Sequence, residues 1–81
     1  MECGKLEGGT YSVKLLYTKL SPPTVHGRIP RIGRKKLLEK LGKYGLDERM
    51  LDRFKQDDGS YAIPLFGGDY LLIIKLVRRM R

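Results

Sequence analysis

Apolar and polar residues alternate near the start of the chain, and this alternation predicts a β-strand from Tyr11 to Leu20. Every second side chain is apolar: Tyr11, Val13, Leu15 and Tyr17. That period is typical of a strand with one buried side and one mostly solvent-facing side. Ser21-Pro22-Pro23 ends the strand, because proline cannot extend a hydrogen-bonded ladder. Residues 1–10 lack this period, and we expect them to form a flexible N-terminal tail.

A helical period replaces the alternation in the middle of the chain. Apolar side chains between Arg34 and Tyr44 fall on one helical face: Leu37, Leu38, Leu41 and Tyr44. Gly45 is the residue expected just after the end of a helix. Asp47 can cap a second helix, whose apolar face consists of Met50, Leu51 and Phe54. The sequence therefore predicts two consecutive helices.

The connection before the first helix, residues 24–34, has the composition of a loop. It contains Pro30, two glycines and three arginines. Only Val25, Ile29 and Ile32 can anchor it to a core. We expect a long loop that is either functional or mobile.

The last third of the chain predicts a β-hairpin. Residues 60–66 and 70–77 flank Gly67-Gly68-Asp69, a short glycine-rich connection of the kind that hairpins require. Pro64 indicates that the first of these strands lies at a sheet edge or contains a bulge. The second strand is apolar on both faces apart from Lys75, which favours a central position.

These elements predict a single α+β domain over residues 11–81, in the order β-α-α-β-β. Three mainly antiparallel strands would form the sheet, with the last strand central and a helical hairpin on one face. The opposite sheet face would then expose Leu16, Leu71 and Ile73. Either a partner subunit covers this patch, which would make a homodimer, or the architecture is more closed than these elements predict.

The charge of the chain is high and unevenly distributed. The formal net charge is +8, and residues 28–45 hold seven basic residues against the single acid Glu39. A charge of this size predicts attraction to polyanions. Nine cations are the candidate nucleic-acid contacts: Arg28, Arg31, Arg34, Lys35, Lys36, Lys40, Lys43, Arg78 and Arg79. The tyrosines that can stack on bases are Tyr11, Tyr17, Tyr44, Tyr61 and Tyr70.

Other residue types exclude several kinds of site. Cys3 is the only cysteine, so no disulfide forms within the chain, and a reducing, cytoplasmic setting is expected. His26 is the only histidine, and we expect no metal site, catalytic triad or small-molecule cofactor. The longest apolar run, Tyr70 to Ile74, is too short to cross a membrane. With no Asn and one Gln, the composition also indicates a thermophilic source.

Two families share the predicted element order. Gly42-Lys43-Tyr44-Gly45, between two helices, resembles the loop of the minimal KH RNA-binding domain, and that resemblance implies a close approach of single-stranded nucleic acid. Simple capping of the first helix explains the same glycines. The order is also similar to that of RelE-type ribonuclease toxins, and that similarity implies candidate residues Tyr70, Lys75, Arg78 and Arg79.

A helix-turn-helix unit is a further interpretation of residues 37–54, because the glycine and the apolar residues have suitable spacing. Its reading helix would place Asp47, Glu48 and Asp52 beside phosphates, which argues against it. Three hypotheses remain open. The first is a small nucleic-acid-binding protein, with RNA or single strands slightly favoured. The second is a protein-interaction module that docks an acidic partner, and the third is a RelE-like ribonuclease.

Overall fold

Four antiparallel strands form one sheet in the order β2-β1-β4-β3. The computed structural model describes residues 6–79 of the chain. The strands are β1 (Gly9–Tyr17), β2 (Thr24–Gly33), β3 (Tyr61–Leu65) and β4 (Tyr70–Arg79). Helix α1 (Arg34–Lys43) and a 3₁₀ helix (Glu48–Phe54) connect β2 to β3, and a short 3₁₀ turn (Phe66–Gly68) connects β3 to β4.

The predicted hairpin and its place in the sheet are confirmed. β4 lies between β1 and β3, and β3, with its exposed Pro64, is an edge strand. The β1–β4 pairing sets Val13 opposite Ile74 and Leu15 opposite Leu72. These apolar pairs lie on the face of β4 that the core covers, where Leu72 and Ile74 are buried.

The predicted loop over residues 24–34 is wrong, because Thr24–Gly33 forms strand β2. The sheet therefore has four strands, and the element order is β-β-α-3₁₀-β-β. β2 is an edge strand with one hydrogen-bonded neighbour, so it tolerates Pro30 and its glycines. Register shifts opposite β1 break the period of two. Consequently Ile29 pairs with Val13 and Ile32 pairs with Tyr11, although the two isoleucines are three residues apart.

The core lies on one side of the sheet, beneath the helical layer. Leu37 and Leu41 of α1 and Leu51 of the 3₁₀ helix are fully buried against it. The predicted second α-helix is instead a 3₁₀ helix, in which Met50 N donates to Asp47 O at 2.9 Å. Its apolar face is narrower than expected, because Met50 is exposed. Within residues 6–79, ten apolar residues form the buried core: Leu6, Tyr11, Val13, Leu37, Leu41, Leu51, Ile63, Leu65, Leu72 and Ile74.

The segment before β1 contacts the domain. Leu6 is buried, and its amide donates to Glu48 Oε2 at 2.8 Å. Strand β1 begins at Gly9, two residues before the predicted start. The predicted flexible tail is therefore wrong for residues 6–10, because Leu6 is buried and Gly9 and Thr10 belong to β1. Residues 1–5, including Cys3, and residues 80 and 81 lie outside the described residues, so the flexibility of residues 1–5 stays a prediction.

Candidate nucleic-acid interface

Four of the nine candidate cations surround one open cavity at the start of α1. Its volume is about 910 Å³. The pairing of Thr10 with Arg78 brings the end of β4 to the beginning of β1, and Gly33 leads directly from β2 into the helix. We call this the basic cavity. Its lining residues are Gly8, Gly9, Thr10, Gly33, Arg34, Lys35, Arg78 and Arg79.

Gly9 allows the two strands to approach closely beside the basic cavity. It has φ +151°, and a β-carbon at this position would lie 2.3 Å from the carbonyl oxygen of Arg78. Any other residue would therefore displace the end of β4. The lining of the basic cavity depends on this contact.

The cations of the basic cavity differ in their partners. Arg34 is half-buried; its Nη2 lies 2.8 Å from Glu48 Oε2 and its Nε donates to the Leu6 carbonyl at 2.9 Å. Arg79 pairs with Glu7 at 3.0 Å, but both side chains are more than half exposed. Within residues 6–79, Lys35 and Arg78 make no ion pair and both are exposed. Lys35 and Arg78 are therefore the side chains best placed to contact an anion.

The start of α1 adds a positive field to the same place. Gly33 provides no side-chain cap, and the first turn contains no acidic residue. The first N–H groups of a helix have no partner within the helix, and the helix dipole is positive at this end. Basic residues there are unfavourable for the helix itself, and an anion would relieve that repulsion.

A second group of candidate cations lies near the other end of α1. A small cleft of about 130 Å³ separates β2 from the helix. Arg28 and Lys40 line it together with Tyr44, and its apolar floor comes from the sheet. Lys43 is the last residue of α1. We call this the side cleft.

Three candidate cations line neither cavity. Arg31 is exposed on β2, and Lys36 and Lys43 are exposed on α1. Of the nine residues, four therefore line the basic cavity, two line the side cleft, and three lie outside both. The nine do not form the single flexible arginine segment that the sequence predicts.

Five aromatic rings form a continuous series at the ends of β1 and β4. Tyr17 contacts His26 and Tyr70, with ring centroids 5.4 Å and 5.2 Å apart. His26 also lies 5.5 Å from Tyr70. Phe66 contacts Tyr70 at 5.4 Å and Tyr44 at 6.2 Å. We call these five residues the aromatic cluster.

The turn after β3 presents Phe66 to solvent. Phe66 is 62% exposed and has φ +54°, the left-handed conformation that side chains with a β-carbon rarely adopt. Thr18 fixes this turn: its N–H donates to Asp69 O at 2.9 Å and its hydroxyl to Gly68 O at 2.7 Å. The backbone position of the exposed ring is therefore well defined.

Sequence reasoning missed that Phe66 and His26 belong to the aromatic cluster. Phe66 appears in the sequence as the last residue of a strand, and His26 as an isolated residue of a loop. The two glycines after Phe66 are the one local indication of an unusual turn. Nothing local indicates that β2 returns beside β1 and brings His26 to Tyr17.

The tyrosines at the opposite end of the sheet are in a different environment. Tyr11 is buried, and its hydroxyl donates to the Glu7 carbonyl. Burial raises the pKa of Tyr11 to about 12, with further contributions from Tyr61 and Glu7. The pKa of Tyr61 is also raised, mainly by burial and then by Asp52. Tyr11 therefore serves the core and offers no ring face for stacking.

The structure departs from both family resemblances. Gly42 lies in the last turn of α1, and Gly45 (φ +74°) follows the helix as a cap, with Leu46 N donating to Leu41 O at 2.9 Å. The extra strand β2 before α1 changes the shared element order. For the ribonuclease interpretation, Tyr70 and Arg78 lie near opposite ends of β4, about 26 Å apart along the strand.

No protein-family model, curated protein or solved structure matches this chain. Among residues 6–79, no group of three His, Cys, Asp or Glu side chains is arranged to hold a metal ion. In the same part of the chain, the helices are too short and too polar to cross a membrane.

Proposed function

We propose that this protein binds nucleic acid, mainly through phosphate contacts at the basic cavity and the side cleft. The observation that carries the proposal is the convergence of Arg34 and Lys35 with Arg78 and Arg79 around one cavity. These residues come from opposite halves of the chain. Cations from different elements that line one open cavity suit the closely spaced charges of a phosphate backbone.

Each group of cations has a distinct part in the proposed contact. Lys35 and Arg78 bind phosphate directly, beside the N–H groups at the start of α1. Arg34 is held by Glu48, so it maintains the shape of the basic cavity while adding to its positive field. Arg28 and Lys40 offer a second contact at the side cleft, and a single chain of phosphates could follow the surface between the two.

The salt dependence of binding tests this proposal. About five phosphate contacts predict that the logarithm of affinity falls with the logarithm of salt concentration with a slope of roughly −3.5 to −4.5. The double substitution Lys35→Ala/Arg78→Ala should weaken binding and make the slope shallower by about 1.4–1.8, because two contacts are lost. Fluorescence anisotropy with a labelled oligonucleotide over a salt series measures both quantities.

A matched control separates the basic cavity from net charge. Arg49 and Arg53 are exposed on the 3₁₀ helix, within an acidic stretch. The double substitution Arg49→Ala/Arg53→Ala removes the same charge and should leave the slope almost unchanged. If both double variants change affinity and slope equally, binding follows net charge alone and the basic cavity is not the contact.

One feature favours a second function, that of a protein-interaction module. The strand register aligns four apolar residues across the sheet face opposite the helices: Val25, Leu16, Leu71 and Pro64. Val25 is 55% exposed, whereas Leu16, Leu71 and the neighbouring Ile73 are half-buried. A second copy of the chain that packs on this face would form a homodimer. Light scattering at high protein concentration tests it, and a monomer there would contradict it.

A further inference from the structure

We propose that the aromatic cluster is a stacking site for unpaired bases, so that the nucleic acid bound by this protein is single-stranded. This inference rests on the phosphate binding proposed above and names the form of nucleic acid that it serves. The cluster comprises Tyr17, His26, Tyr44, Phe66 and Tyr70, and Phe66 is 62% exposed.

The exposure of Phe66 distinguishes the aromatic cluster from a part of the core. Its ring touches Tyr44 and Tyr70 at interplanar angles of 77° and 83°. These contacts hold the ring at its sides, yet 62% of the residue stays accessible to solvent. A ring that contributes so little to the core but is held by two neighbours is suited to receive a planar ligand.

The backbone at Phe66 gives an independent argument. Its φ of +54° is unfavourable for a residue with a β-carbon, whereas glycine would adopt it without strain. Gly67 and Gly68 follow in the same turn, also with positive φ. Glycine at position 66 would therefore suit the fold better than phenylalanine. Backbone strain that persists at an exposed side chain indicates that the ring itself has a function.

Cations lie next to the rings. Tyr44 belongs to the aromatic cluster and also lines the side cleft, where it is joined by Arg28 and Lys40. The acidic residue of the turn, Asp69, is paired with Lys19 at 3.5 Å, which offsets its charge. Single strands bind where aromatic faces for bases adjoin cations for phosphates. In a duplex the base faces are already stacked on one another, so the cluster selects unpaired bases.

The substitution Phe66→Gly tests the inference because it removes the ring and the backbone strain together. Affinity for a thymidine or uridine oligonucleotide of about ten nucleotides should fall roughly 5- to 150-fold, the usual effect of losing one stacked base. The midpoint of thermal unfolding should stay the same or rise, because glycine relaxes the turn. Phe66→Trp should keep the affinity, since tryptophan also stacks. A Phe66→Gly variant that is as stable as the parent and binds the oligonucleotide equally well would overturn the proposal.

An abasic oligonucleotide of equal length separates this inference from the proposed function. We expect the parent protein to bind it more weakly than the oligonucleotide with bases, and Phe66→Gly to leave that weaker binding unchanged. If the two oligonucleotides bind the parent equally, phosphate binding stands and base stacking is refuted. If neither binds, both proposals fail. A comparison of uridine with thymidine strands then shows whether RNA or DNA is preferred.

Discussion

Both ends of the sheet carry tyrosines on the side of the helical layer, but the environments of these tyrosines differ. At one end, Tyr11 belongs to the core and Tyr61 packs against it, and burial raises the pKa of each. At the other end, Tyr17 and Tyr70 contact an exposed phenylalanine, near cations of the side cleft. Identical residue types therefore belong to the core at one end of the sheet and to the proposed stacking site at the other.

The largest expected effect comes from a substitution at the end of the sheet where Tyr11 is buried, which we call the covered end. Tyr11→Ala removes a buried ring and should lower the free energy of unfolding by about 3–5 kcal/mol. Phe66→Ala, at the open end, should lower it by no more than about 1.5 kcal/mol, because the ring is mostly exposed and has two edge contacts. Urea unfolding followed by circular dichroism measures both. Equal losses would mean that the two ends are parts of one core.

The pH dependence of stability in the alkaline range should include a contribution from the covered end of the sheet, where Tyr11 is buried. The pKa of Tyr11 rises from 10.0 in the unfolded chain to about 12 in the folded protein. The stabilisation from the protonated hydroxyl is therefore complete below pH 10 and is lost as the pH rises towards 12. The loss reaches about 3 kcal/mol at most.

Tyr11→Phe isolates this contribution from the titration of lysines in the same range. Urea unfolding of the parent at pH 9 and pH 11 should show a larger loss of stability than unfolding of Tyr11→Phe at the same two values. An identical pH dependence of the parent and the variant would show that the Tyr11 hydroxyl is not in a desolvated site.

The smallest expected effects on stability are those of substituting two arginines of the basic cavity. Arg34→Ala breaks a half-buried pair with Glu48 and a bond to the Leu6 carbonyl, and should cost about 1–3 kcal/mol. Arg79→Ala breaks an exposed pair with Glu7, and should cost less than about 1 kcal/mol. Thermal unfolding measures this difference. If Arg79→Ala is the more destabilising, the structural part assigned to Arg34 is wrong.

The sequence correctly predicts those elements whose hydrophobic period and terminal residues indicate the same structure. Strand β4 is apolar on both faces and is central, and Pro64 correctly marks an edge strand. The end of α1 shortly before Gly45 is also predicted locally, because glycine readily adopts the positive φ found there. In these cases the deciding interactions lie within a few residues of one another in the chain.

The elements that sequence reasoning missed depend on distant partners. Strand β2 has register shifts that hide its period, and its proline and glycines are tolerated because only one side pairs with a neighbour. The basic cavity joins Lys35 to Arg78 through the β1–β4 pairing. The aromatic cluster likewise needs β2 to bring His26 to Tyr17. The candidate cations are recognisable from charge, but their distribution between the two cavities is not.

The most direct test of nucleic-acid binding is an NMR titration of the isotope-labelled protein with a thymidine oligonucleotide. We expect the largest changes in backbone amide shifts in three regions: residues 8–10 with 33–36 and 78–79 at the basic cavity, residues 40–45, and residues 66–70. Amides of the 3₁₀ helix Glu48–Phe54 should change little. Changes centred on that helix, or on the apolar row from Val25 to Pro64, would contradict the account.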